Sequence, residues 1–536
     1  MARAVQKTSN PDKVIISNKT GMTAKYTVAG VTNIYAALTR LIAADSARGL
    51  TTVIVDIDDP AQLAPFGTAP IINAADGSGA KRIVDAIDAK ISPDYFVLLD
   101  GPDAIPHIPL QPIAGLNDGD PDIPSDLPYA SAAPFSNSAN DYLQVTRVVG
   151  RLPMPKGSTD ANAFAKLIDL CSTHAPKPAT EYSTYFAMST DTWKVSTQLN
   201  LSTLFGSHAS LSVSPTAGHS GIDQFLVSLT HLINCHGATH DTRFYGQQAN
   251  SFPVAMNSPQ VAPHVAKGTV VAAECCFGAE LYDQALAATV GAPMSMVYLL
   301  GGAAAYVGST NKAYGPFNTN GQADLMVQFF VDAVLKGAST GRAMLQARQR
   351  FVNTQRMADP TNLKTLAQFV LFGDPSVVPV NSQSQPVIAA DAGAGVDATA
   401  PMATAKEVFG GIATAGDARS GRRLRRVSLK SEGMAVASAA TYLGRPARSA
   451  GSAKDRIQAI AKQRGFSGEV SLFNVDGGPA FRRAAKSLDG KQQVAVVCET
   501  EEHQDSQSGA KHTLVRVLVA HILGEGIVAV GESVSR

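Results

Sequence analysis

Apolar positions along the first 380 residues alternate between two periods. Thr51–Asp56 (TTVIVD) and Tyr95–Asp100 (YFVLLD) are short apolar runs of the kind that form buried strands, the second closed by Gly101-Pro102. Between them, Gly79–Ile91 places its apolar residues at helical intervals. The alternation continues with a helix over Thr159–Cys171, a strand over Ser183–Ser189, a helix over Gly221–Leu229 and strands over Leu232–Cys235 and Gly268–Glu274. It closes with a helix over Ser295–Leu300, a strand over Ala303–Val307 and helices over Gln322–Leu335 and Thr340–Thr354. Pro109–Pro128, rich in Pro, Asp and Gly, reads as loop. Alternation of this kind predicts an α/β fold with helices around a mostly parallel sheet.

Beyond residue 380 the pattern changes. Ala389–Ala405 (AADAGAGVDATAPMATA) has the composition of a linker, and a basic cluster follows at Arg422, Arg423, Arg425 and Arg426. From Val427 onward a helix over Ala453–Arg464 and strands over Glu469–Phe473, Val494–Cys498 and Thr513–Ala520 predict a small α+β domain. The expected division is an N-terminal α/β subdomain (1–175), a catalytic α/β subdomain (176–384), a linker (385–426) and the C-terminal domain (427–536). With 45% apolar and 17% charged residues, the chain has material for a core, which excludes a mainly disordered protein. A net charge of +1 gives no ground for nucleic acid or an anionic membrane as partner. The five cysteines (Cys171, Cys235, Cys275, Cys276, Cys498) are odd in number and two are adjacent, unlike a disulfide framework. Met1–Val14 lacks the apolar core of a signal peptide, and no apolar run reaches the ~18–20 residues of a spanning helix. A soluble, cytoplasmic protein is expected.

The chemistry concentrates at two strand ends. One strand runs Leu232-Ile233-Asn234-Cys235 into His236-Gly237; the other runs Val270 to Glu274 into Cys275-Cys276-Phe277-Gly278. Ligands of open α/β sheets bind outside the carboxyl ends of the strands, so adjacent parallel strands would present His236 and a cysteine side by side. A thiol beside an imidazole is the minimum for nucleophilic catalysis. Gly237 would let its N–H approach a substrate oxygen and, with the N–H of Cys275, form an oxyanion hole.

The order strand–His-Gly, then strand–Cys-x-x-Gly, is similar to the caspase-like clan of cysteine peptidases, and more narrowly the chain resembles the gingipain family. Tyr95–Pro106 (YFVLLDGPDAIP), Ser125–Ala130 (SDLPYA), Val148–Pro153 (VVGRLP), Gly308–Pro316 (GSTNKAYGP) and Leu371–Ser376 (LFGDPS) resemble that family's motifs in order, over residues of about 50–380. The resemblance implies a caspase/gingipain-like sandwich and a cysteine endopeptidase acting through a Cys-His dyad and an acyl-enzyme. Its Cys-x-x-Gly spacing selects Cys275; Cys276 fits the Cys-x-Gly of caspases, and only one of two neighbours on a strand can face the site. The family's histidine-orienting acid matches Asp191, which fits a helix N-cap equally well. The acid that lines the pocket of Arg-specific members has no counterpart in Thr192–Val195. Lys194, if it lined the pocket, would favour an acidic P1 residue, and otherwise reads as a solvated surface lysine; Tyr314 matches a pocket wall or is simple packing, and Trp193, the single Trp, could be core or rim the cleft.

No cofactor is expected. His231, Cys235, His236 and His240 lack the convergence zinc requires, and the acidic loop Asn117–Asp126 could take calcium but lacks EF-hand spacing. The partners implied are a protein or peptide substrate and a regulatory protein at the C-terminal domain, with no nucleic acid and no membrane. Two alternatives stand beside the peptidase: a catalytically degenerate scaffold that binds proteins, and a proenzyme activated by cleavage in Ala389–Arg426.

Overall fold

The computed structural model describes residues 10–215, 221–289, 291–381, 415–447, 452–485, 491–505 and 509–536. Ten strands form one central sheet. In spatial order they are Thr52–Asp56, Lys13–Ser17, Tyr95–Leu99, Val149–Leu152, Phe369–Phe372, Ala305–Ser309, Val270–Ala273, Thr230–Asn234, Tyr185–Thr190 and Leu211–Ser214. The first five are mutually parallel, as are the last five. The halves meet antiparallel where Phe369–Phe372 pairs with Ala305–Ser309. Phe369–Phe372 follows all of the last five in sequence yet lies with the N-terminal half of the sheet, so the chain crosses back before residue 380.

Alternate side chains separate the two faces. Val14, Ile16, Phe96, Leu98, Leu232, Val270 and Ala272 point into one core; Ile15, Val97, Leu99, Ile233, Val271 and Ala273 point into the other. Strands buried on both sides explain why the sequence shows continuous apolar runs rather than strict alternation. Helices Gly77–Ile91, Gln322–Leu335, Thr340–Thr354 and Pro360–Gln368 cover the first face. Lys19–Ala47, Ala161–Ser172 and Met294–Gly301 cover the second. Helix starts are marked by side-chain caps: Asp76 accepts from Gly79 N–H at 2.8 Å and Asp160 from Ala163 N–H at 2.9 Å.

Lys19–Ala47 is long and apolar enough to cross a membrane by length and composition, contrary to expectation. Here Met22, Ile34, Leu38 and Leu41 bury one side of it against the sheet. The helix expected over Gly221–Leu229 is a single tight turn at Asp223–Phe225. Ile222 and Leu226 bury themselves four residues apart while Phe225 and Val227 stay exposed, so one turn satisfies the spacing. The motifs SDLPYA and VVGRLP meet in a buried double hydrogen bond. Arg151 donates to Asp126 at 2.9 and 2.6 Å, and its remaining N–H groups reach the carbonyls of Asp100 and Ile105.

The expected linker over Ala389–Ala405 lies outside the described residues, but its expected end at 426 does not hold, because a helix spans Ala415–Ala439. Arg426, from the basic cluster, is 3.5 Å from Asp94 and also binds the Ser92 carbonyl, an anchor on the N-terminal half. After it comes an antiparallel sheet, in order Thr441–Pro446, Ser471–Gly477, Gln492–Gln504, Lys511–Leu523 and Gly526–Ser535. One face packs on helix Ser452–Gln463. The other contributes Phe473, Val494, Val496, Val515 and Val517 to the core of the central sheet's first face. Gly526–Ser535 then pairs with Tyr314–Gly315, a two-residue strand that follows Ala305–Ser309.

Candidate active site

Thr230–Asn234 and Val270–Ala273 are adjacent and parallel, with Leu232 level with Ala272. Continuing that register brings His236 level with Cys276. Face parity agrees: Val271, Ala273 and Cys275 share one core, whereas Val270, Ala272 and Cys276 share the other. The Cys275 thiol is therefore turned away, fully buried among apolar side chains, with its sulfur 3.7 Å from the Ile233 carbonyl oxygen. Cys276, His236 and Gly237 line a common cavity of about 90 Å³ together with Thr239, Lys312 and His512. This departs from the spacing-based choice of Cys275. After strand hydrogen bonding ends at Ala273, side chains still alternate, so the second cysteine shares the face of the histidine, its sulfur accepting from Ala313 N–H at 3.2 Å.

Gly237 is required by closeness. A Cβ there would sit 1.8 Å from the Cys276 carbonyl oxygen. The N–H expected to complete an oxyanion hole was that of Cys275; the one that binds a carbonyl oxygen is Cys276 N–H, donating to Arg536 O at 3.2 Å.

Asp191 does not reach the histidine. It is exposed, in the turn before helix Lys194–Phe205. The partner of His236 Nε2 is Gln247 Oε1, at 2.8 Å. Gln247 is oriented by its own amide N–H, which donates to the Ala249 carbonyl at 3.3 Å, and by Thr192 Oγ1, which donates to Oε1 at 2.7 Å. With an oxygen as acceptor, Nε2 carries the proton and Nδ1 carries the lone pair. No sequence signal marked Gln247, a neutral residue in a loop.

Trp193 is fully buried, its ring 4.5 Å from that of His236, and so it is a wall of the site rather than a solvent rim. Phe252 and His512 close the other sides at 5.0 and 5.9 Å. Burial pushes His236 down to about 3 and the Cys276 thiol up to about 12, so both groups are neutral in this closed arrangement. Lys194 is exposed at its helix start and lines no part of the cavity, because the helix turns it to solvent. Tyr314 contributes backbone rather than ring; its hydroxyl is buried and donates to Asp118 at 2.8 Å.

The acidic loop is not a calcium cradle. Lys364 pairs with both Asp118 and Asp120, and Lys312 pairs with Asp120 at 2.9 Å, so lysines already neutralise these carboxylates. His231 is held by the Tyr298 hydroxyl and the Ser228 carbonyl, away from the His-Gly turn.

Three further charged residues meet beside Trp193. Arg536 is fully buried, and its guanidinium pairs with Glu274 and, at 2.8 Å, with Asp324. Its carbon lies 5.4 Å from the Trp193 ring centre. None of the three was singled out from sequence. Glu274, a lone acid closing an apolar strand, was the available signal.

A thiol, an imidazole and a close-approach glycine at the carboxyl edge of a parallel sheet form the arrangement of a nucleophilic hydrolase. The model of Peptidase family C25 matches residues 6–380, and the chain belongs to that family. By that membership it is a cysteine peptidase, and the gingipain resemblance stands. No curated protein matches the chain. Among solved structures it is similar to the complex of the pro- and mature domains of Porphyromonas gingivalis RgpB, at 10% identity and a TM-score of 0.46, covering 97% of this chain and 99% of that one. A structure described only as a protease is similar at 11% identity and a TM-score of 0.44, covering 97% and 96%. The Saccharomyces cerevisiae separase–securin complex is similar at 15% identity and 0.29, over 43% of this chain and 14% of that one.

Proposed function

We propose that the protein is a cysteine endopeptidase whose nucleophile is Cys276 and whose acid and base is His236. The observation that carries this is the shared cavity: Cys276, His236 and Gly237 line it, and Cys275 does not. His236 Nδ1 takes the thiol proton as sulfur attacks the scissile carbonyl, then returns it to the leaving amine. Because both groups are neutral when enclosed, transfer accompanies attack rather than preceding it as a stored ion pair. Cys276 N–H and the backbone at Gly237 hold the oxyanion. Water, deprotonated by the same imidazole, hydrolyses the acyl-enzyme and restores the thiol. Gln247 is a positioning residue that fixes the tautomer.

Irreversible peptidyl acyloxymethyl ketones test the assignment. Labelling should survive Cys275→Ala and disappear in Cys276→Ala and His236→Ala. Loss with Cys275→Ala and retention with Cys276→Ala would reverse the two cysteines. No labelling of any form would favour the binding scaffold.

A further inference from the structure

We infer that a phosphate-class oxyanion binds in a cavity between helix Ala415–Ala439 and the first half of the central sheet, with Arg342 as its central ligand. The inference stands apart from the peptidase assignment, because the cavity lies at other strands than those that carry Cys276 and His236.

The cavity encloses about 180 Å³ at the amino ends of strands Tyr95–Leu99 and Val149–Leu152. Three elements supply its cations. Arg147 comes from the segment that enters Val149–Leu152, and Arg342 from the first turn of helix Thr340–Thr354. Arg426 and Lys430 come from helix Ala415–Ala439, one turn apart and so on one face. The acids in the lining are Asp88 and Asp94, which leaves two surplus positive charges.

The pairing shows where the surplus sits. Arg147 takes Asp88 at 2.9 Å and Asp85 at 2.6 Å, and Asp85 also pairs with Lys81, so counting that acid brings another cation with it. Arg426 lies 3.5 Å from Asp94, and Lys430 lies 4.0 Å from an Asp88 already engaged by Arg147. Arg342 is left over. It is only 9% exposed, its Nε is buried without a hydrogen-bond partner, and among the described residues no carboxylate reaches its guanidinium. The Tyr95 ring, 5.3 Å away, compensates only part of the charge. A guanidinium taken out of water without a counter-charge is costly, and an anion in the cavity removes that cost.

Thr146 points to the same ligand independently. It lines the cavity, it is buried, and its hydroxyl has no partner. An arginine fork and a hydroxyl that both lack an acceptor call for an oxygen-rich anion. The N–H groups that begin helix Thr340–Thr354 are already used. Thr340 donates to the Val377 carbonyl at 2.9 Å, Gly341 to the Pro375 carbonyl at 3.0 Å and Arg342 to Ser339 Oγ at 3.4 Å. Side chains therefore do the binding. The volume is below the ~300–1,000 Å³ of pockets that enclose drug-sized ligands, which excludes a nucleotide and fits a compact tetrahedral ion. A dianion such as hydrogen phosphate balances the two surplus charges. Bound there, it links Arg342 to Arg426 and Lys430 and so fastens helix Ala415–Ala439 to the first half of the sheet.

The test titrates the full chain with sodium phosphate, sodium sulfate and glycerol 3-phosphate, against sodium chloride at equal ionic strength, by calorimetry and by Tm. Phosphate and sulfate should bind saturably and raise Tm above the chloride control. Arg342→Gln should weaken phosphate by about tenfold or more. In chloride it should leave Tm unchanged or higher, because it removes a buried charge that has no partner. Lys430→Gln alters a half-exposed side chain, so it keeps the fold, and it should weaken phosphate by about two- to fivefold. Binding of glycerol 3-phosphate as tight as phosphate would identify the ion as the head of a phosphomonoester, and its exclusion would identify the free ion; either result upholds the site. No saturable binding of phosphate or sulfate by the parent, or parental affinity in both variants, would overturn the inference. A rise in Tm that never saturates and survives both substitutions is the general salting effect of these ions and counts against it.

Discussion

Replacing Gly237 by alanine should cost about two orders of magnitude in kcat/KM and leave the protein folded. An ideal Cβ at this position falls 1.8 Å from the Cys276 carbonyl oxygen and 3.0 Å from its carbonyl carbon, whereas real Cβ atoms essentially never come within 3.0 Å of such an atom. The two must therefore separate by about 1.2 Å, the difference between those distances. The obstacle is main chain, so no rotamer change relieves it. Gly237 is not among the residues with positive φ, so alanine adds no backbone strain of its own and the whole effect is displacement. A shift of about 1 Å at a reacting centre costs on the order of a hundredfold, or about 2.7 kcal/mol of transition-state stabilisation. Overpacking of this kind costs about 1–3 kcal/mol of stability. The assay is hydrolysis of the best peptidyl coumarin amide from a P1 library, with active sites counted by the matching acyloxymethyl ketone and Tm measured in parallel. Activity within about threefold of the parent at an unchanged Tm would mean that residue 237 does not lie against Cys276, and the site as built here would fall.

Asp126→Asn should destabilise the fold by about 3–5 kcal/mol, read by urea unfolding, because it leaves the fully buried Arg151 without its counter-charge. Arg151 and His107 hold the Asp126 carboxyl well below its usual range, so this stabilisation is complete above the unfolded pKa of about 3.9 and is lost only as pH falls through the lower folded value. The histidines act in a higher window. Burial lowers His236 to about 3 and His512 to about 4, so the folded state resists their protonation. Stability is full above the unfolded pKa of about 6.5 and should fall below it, by up to about 1.4 kcal/mol per pH unit for each group until the folded value is reached. His512→Phe should flatten the slope of unfolding free energy between pH 6.5 and 4; an unchanged slope would show that His512 is not enclosed. Added calcium should leave Tm unmoved, since Lys364 and Lys312 already occupy Asp118 and Asp120; a saturable upward shift would contradict that pairing.

The central sheet was legible because its strands are buried on both faces and its helices on one, which writes two distinct periods into the sequence. Gln322–Leu335 and Thr340–Thr354 fall where the spacing places them. Lys19–Ala47 and the strand Lys13–Ser17 were not read, although Ile34, Leu38 and Leu41 keep helical spacing, because small residues dilute the pattern around them. His236 was placed at the strand end by its glycine. The two cysteines were harder. Motif spacing favours Cys275, but parity along Val270, Ala272 and Cys276 against Leu232 and His236 favours Cys276, and parity is the physical constraint. Gln247 could not have been found, because a neutral amide in a loop carries no signal until the loop's path is known.

The buried acids Glu274 and Asp324 show where such legibility ends. A carboxylate buried away from solvent is costly unless a cation or several donors meet it, so Glu274, closing an apolar strand, already implies a partner. The sequence cannot name that partner. Lysines and arginines are spread along the whole chain, and the one that arrives is 262 residues away. It is delivered by Gly526–Ser535, a strand whose apolar residues are interrupted by Gly531 and Glu532 and which local pattern does not mark. Its course is set instead by pairing with Lys511–Leu523 on one side and two residues, Tyr314 and Gly315, on the other. A two-residue edge is too short for propensity to predict. It is long enough to fix register, and register alone decides that Arg536, rather than Ser535, meets Glu274 and Asp324. A one-residue slip would put the Ser535 side chain opposite Glu274 and Asp324 and leave two buried acids without a cation, so the ion pairs and the strand pairing enforce the same alignment.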